Sequence, residues 1–70
     1  MKIQIKLDYN GKIYLSNTEE CEEEDVNQAK ELIKKISEGK VTHLSMQSNN
    51  EEHFFTKSIL EKSILTVIVT

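Results

Sequence analysis

Residues 2–9 alternate in a period of two: Ile3, Ile5, Leu7 and Tyr9 fall on one side, Lys2, Gln4, Lys6 and Asp8 on the other. That is the signature of a half-buried strand. The run Asp8-Tyr9-Asn10-Gly11-Lys12 then turns the chain into a hairpin. A two-residue Asn-Gly loop would set Ile13 and Leu15 against the polar side of the first strand. A three-residue loop pairs Asp8 with Lys12, Leu7 with Ile13 and Ile5 with Leu15, which unites the apolar side chains. With Gly11 left-handed as a bulge, burial and turn chemistry are both satisfied, so the pattern predicts the three-residue loop.

Ser16–Glu24 is polar and acidic and reads as a connection. Val26, Ala29, Ile33 and Ile36 then recur at helical spacing, with Leu32 widening the stripe. Carboxylates crowd the start of that stretch and Lys30, Lys34 and Lys35 lie toward its end, matching the helix dipole. Glu31 and Lys35 add an i,i+4 pair, and Gly39 reads as the left-handed cap. From Val41 the chain returns to strand, turns at Ser48–Glu51, and continues as strand over Glu52–Lys57. Thr56–Ser63 suits a one-turn helix or a bent crossover. The last run, Ile64–Thr70, is β-branched and uncharged. The prediction is one α+β domain over residues 1–70, in the order ββαβββ. Its single helix packs on one face of a mostly antiparallel sheet of roughly four or five strands.

Phe54 and Phe55 are adjacent, so in a regular strand they point to opposite faces, and a lone helix shields only one. The last strand has the same character, with Leu65, Val67 and Val69 on one side and Ile64 and Ile68 on the other. The expected three-residue loop puts Tyr14 on the outer face beside Lys6. The candidate partner-binding residues are therefore Tyr14, Phe54, Phe55, Ile64 and Ile68, of which one phenylalanine faces outward. A contiguous apolar patch of this kind marks a contact site. The last strand has no charge, proline or bulge residue to guard an open edge, so it is expected to be central in the sheet or paired with another chain.

Size sharpens this. At 8.1 kDa, area scaling gives a folded surface of roughly 4,500 Å² against roughly 11,700 Å² unfolded. A core that small usually needs a staple. One cysteine rules out an intrachain disulfide, and Met1 leads straight into the first strand with no signal-peptide pattern. The expectations are a cytoplasmic setting and self-association, most simply a homodimer. The longest apolar run is too short to span a bilayer as a helix.

The net charge is −3 and arginine is absent, which removes the bidentate fork that grips phosphate and guanine and disfavours nucleic acid as a partner. Both glycines serve backbone turns, leaving none for a phosphate-cradling loop, and no cofactor is expected. Cys21 lies among Glu19, Glu20, Glu22 and Glu23, whose charge disfavours the thiolate. His43 and His53 lie on successive strands, where some registers would let them share a ligand, but no metal-ligand spacing is present. The acidic run Glu19–Asp25 reads as a solvated loop and helix start before it reads as a DNA mimic.

No nucleophile–base pair, carboxylate pair or metal triad stands out, so an enzyme is not expected. The favoured function is a protein-protein interaction module. Size and composition suit a small inhibitor, an immunity or antitoxin-like factor, or a phage accessory protein that blocks a host enzyme. One alternative binds a nucleotide or metabolite between subunits, using Tyr14, His43 and His53. Another stacks single-stranded nucleic acid on the open sheet face, using Tyr14, a phenylalanine, Lys2, Lys6 and Lys12.

Overall fold

The computed structural model describes all of residues 1–70. The elements are β1 (Lys2–Tyr9), β2 (Lys12–Leu15), β3 (Glu19–Glu20), α1 (Glu23–Ser37), β4 (His43–Ser48), β5 (Glu51–Thr56), α2 (Lys57–Glu61) and β6 (Ser63–Val69). The class is α+β, with one main helix and antiparallel strands divided between two sheets. No helix is long and apolar enough to cross a membrane.

The larger sheet is organised around β1. One edge of β1 pairs with β6 along its length, from Ile3↔Val69 to Tyr9↔Ser63. The other edge is shared by two short strands, β2 opposite Lys6–Tyr9 and β3 opposite Lys2 and Ile3. Ser16 bridges the gap between them. The Ile5 N–H donates to Ser16 Oγ at 2.8 Å, and the Ser16 N–H donates to the Ile5 carbonyl at 2.9 Å. Thus β3 arises inside the stretch expected to be only a connection.

The hairpin corrects the three-residue expectation. Tyr9 pairs with Lys12 and Leu7 with Tyr14, leaving a two-residue Asn10-Gly11 loop. Both loop residues are left-handed, at φ 53° and 85°. This is the primed turn whose twist matches that of the flanking strands. Asp8 Oδ1 accepts the Gly11 N–H at 3.0 Å. Turn chemistry outweighs the burial of two aliphatic side chains, because the register that exposes Ile13 and Leu15 turns Tyr14 inward. Tyr14 meets Phe55 edge-on, with ring centroids 5.2 Å apart.

The second sheet is the β4–β5 hairpin, which pairs Leu44 with Phe55 and Met46 with His53 on its inner face. Asn17 ties it to the larger sheet. The Asn17 N–H donates to the Gln47 carbonyl, and Asn17 Oδ1 accepts the Asn49 N–H, each at 2.8 Å. The core takes one residue from each of five elements: Leu7, Ile36, Met46, Phe55 and Leu60. In α1, Val26 and Ile36 are buried and Ala29 and Ile33 half-buried, with Leu32 at the more exposed margin of the stripe. The helix starts with the Asp25 carboxylate accepting the Glu22 N–H at 2.9 Å and ends at left-handed Gly39.

Candidate interaction surface

The paired sheets decide which apolar side chains stay open. On the outer face of the larger sheet, β1 contributes Lys2, Gln4, Lys6 and Asp8. Strand β2 adds Ile13 and Leu15, and β6 adds Ile64, Thr66 and Ile68. Ile13 and Ile64 flank Asp8 in one row across the sheet, and both are exposed, Ile64 at 68%. On the smaller sheet Phe54 stands opposite Ser45 and is 72% exposed, while its neighbour Phe55 is 5% exposed. Period-two geometry thus sends one phenylalanine into the core and the other into solvent.

Of the five residues singled out from the sequence, Phe54 and Ile64 are open, Ile68 is half-buried, and Tyr14 and Phe55 belong to the interior packing. Placing Tyr14 on the outer face is therefore corrected. The two-residue loop inverts its parity, and aromatic contacts with Phe55 and His53 hold it inside. The contiguous patch expected from Tyr14, a phenylalanine and Ile64/Ile68 is corrected too. Phe54 and the isoleucines belong to the outer faces of different sheets, because the strands do not form a single layer. Sequence reasoning missed Ile13 and Leu15 as surface residues. The Asn-Gly pair itself was the signal, since it favours the register that turns both outward.

The whole surface agrees with this count of open apolar groups. The chain exposes 5012 Å², roughly 500 Å² more than its mass implies. Only 6 of 70 residues are buried, so the interior is thin for the area around it.

The remaining chemistry is sparse. His53 lies on the inner face opposite Met46, with Nε2 3.2 Å from the Glu51 carboxylate and its ring near Tyr14. His43 pairs with Thr56 at the far end of β4 and has the opposite parity. This register keeps the two histidines from sharing a ligand. Cys21 is half-buried and unpaired. A cavity of about 230 Å³ opens between β1, α1 and β4, lined by apolar groups such as Ile5, Leu32, Ile33 and Met46. Three of its polar lining residues are already engaged. Gln4 Nε2 donates to the Ser16 carbonyl, Ser16 Oγ accepts from Ile5, and Asn17 Oδ1 accepts from Asn49.

No family model, curated protein or solved structure matches this chain. The site's own geometry therefore carries the functional argument.

Proposed function

We propose that the chain is a non-enzymatic protein-protein interaction module that engages a partner protein through its uncovered sheet faces and also self-associates. The observation that carries this is Phe54, a large ring left 72% exposed next to a phenylalanine that anchors the core. A strand needs one of the two for packing. The other, with most of its ring in solvent, adds little to folding, whereas exposed aromatic rings are typical anchors of protein interfaces. A cytoplasmic setting, with a role as a small inhibitor or accessory factor acting on another protein, fits the lone cysteine and the small size.

The alternatives draw less support. The cavity between β1, α1 and β4 is smaller than the roughly 300–1,000 Å³ typical of ligand pockets; a second of about 610 Å³ lies where the end of α1 meets α2 and β6, and Tyr14, His43 and His53 line neither. The outer face of the larger sheet offers no aromatic ring for stacking bases, since Tyr9 and Tyr14 both point inward.

The test is capture of a partner from cell lysate, its identification by mass spectrometry, and direct titration of the purified pair. Binding that Phe54→Lys abolishes supports the reading. Specific binding unchanged by Phe54→Lys and by Ile64→Lys counts against it.

A further inference from the structure

Within one chain β6 pairs only with β1, so its other side is an open sheet edge. This corrects the expectation of a central last strand and leaves pairing with another chain. The ladder shows which groups face out. Lys2 and Thr70 exchange both backbone bonds, at 2.8 and 3.0 Å. In an antiparallel pair such doubly bonded residues alternate with unbonded ones. Ile64, Thr66 and Ile68 therefore turn their N–H and C=O groups to β1, while Ser63, Leu65, Val67 and Val69 turn theirs outward. No backbone or side-chain partner satisfies the outward groups.

Every other edge in the molecule is guarded. Strand β2 is four residues long and starts with Lys12. Strand β3 is two residues long, both glutamate. Strand β5 opens with Glu51 and Glu52, and β4 is held at Gln47 by Asn17. Charges, short length and covering contacts are the usual means of preventing strand addition. Strand β6 carries no charge over its seven residues, Ser63–Val69, and only its first residue is tied down, by Ser63 Oγ donating to the Ile59 carbonyl.

We propose that this edge is the homodimer interface: β6 pairs antiparallel with β6 of a second copy, about a two-fold axis at Thr66. The proposal rests on the self-association half of the functional reading. Register selects the axis. Centred on Thr66, Ser63 exchanges bonds with the partner's Val69 and Leu65 with the partner's Val67, so every outward residue is satisfied. Moving the axis by one residue in either direction leaves outward groups without a partner. The same register sets Ile64 beside the partner's Ile68 and Thr66 beside the partner's Thr66, β-branched pairs that favour a ladder. No like charges meet on the seam. The seam is about 24 Å long at 3.4 Å per residue, and it joins the two larger sheets into one continuous layer. An edge contact of that length falls at the small end of specific interfaces, so the dimer dissociates on dilution.

The register makes the test specific. Thr66 is exposed and stands opposite Lys6 in its own chain. Thr66→Lys aligns two introduced ammonium groups with two Lys6 side chains across the seam, whereas Thr66→Glu leaves each introduced carboxylate beside a Lys6. Sedimentation across a concentration series is expected to show a dimer for the parent chain. Thr66→Lys should weaken it by about fivefold or more, and Thr66→Glu by less. An equimolar mixture of the two variants should recover a mixed dimer, with circular dichroism unchanged throughout. A parent chain that stays monomeric at every concentration overturns the proposal. So does a dimer indifferent to both variants, or an edge that pairs only with a different protein. Phe54→Lys leaves the seam intact, so loss of partner capture with a normal dimer would count for the functional reading separately.

Discussion

Phe54→Ala and Phe55→Ala perturb adjacent rings of the same size in one strand, and the structure assigns them very different costs. A phenylalanine side chain buries about 150–250 Å² when fully enclosed. Phe55 is 5% exposed and shares the core cluster with Leu7, Ile36, Met46 and Leu60, so truncation removes burial and leaves a cavity, about 3–5 kcal/mol. Phe54 at 72% exposure has only about 50 Å² covered, worth about 1 kcal/mol at most at 25 cal/mol per Å². A chain of 70 residues has about 4–10 kcal/mol of total stability, so the first loss is severe and the second minor. For a domain this size each kcal/mol moves the melting temperature by about 4–8 °C. Thermal melts followed by circular dichroism, at a concentration low enough to hold the chain monomeric, should show Phe55→Ala falling by about 12 °C or more. Phe54→Ala should fall by about 8 °C or less. Equal losses, or a greater loss for Phe54, would refute the assignment of faces and remove the anchor of the functional reading.

Three further predictions probe the frame that holds the surface. Asn17→Ala removes the acceptor for the Asn49 N–H between the sheets and should cost about 1 kcal/mol. Asn17→Asp keeps an acceptor there and should recover most of that loss in urea denaturation. Gly11→Ala meets no neighbour within 4 Å, so its cost is the left-handed backbone alone, about 1–2 kcal/mol. A larger loss in the same assay would mean that the turn is crowded. Asp25→Ala removes the carboxylate bonded to the Glu22 N–H and should lower stability by about 1 kcal/mol, with α1 amides near its start exchanging faster.

The α+β class, the helix and its cap at Gly39 were legible because each rests on local periodicity and backbone chemistry. Two other features were not. The first hairpin posed a conflict between an Asn-Gly turn and an aliphatic alternation, and the inward tyrosine that resolves it depends on Phe55, forty-one residues away in the chain. The junction between the two sheets depends on Asn17 and the join between β2 and β3 on Ser16, polar residues whose bonds to Gln47, Asn49 and Ile5 no periodicity reveals. The opposition of Phe54 and Phe55 could be read directly from their adjacency, and the unguarded character of β6 from its composition. Its position at an edge could not, because strand order is a property of the assembled sheet.

Amide hydrogen exchange along β6, measured at dilute and concentrated protein, tests the central claim most directly. Ile64, Thr66 and Ile68 should be protected in both samples through their bonds to β1. Leu65, Val67 and Val69 should exchange rapidly when dilute and slow markedly when concentrated. Rapid exchange at those three amides at every concentration would contradict the account.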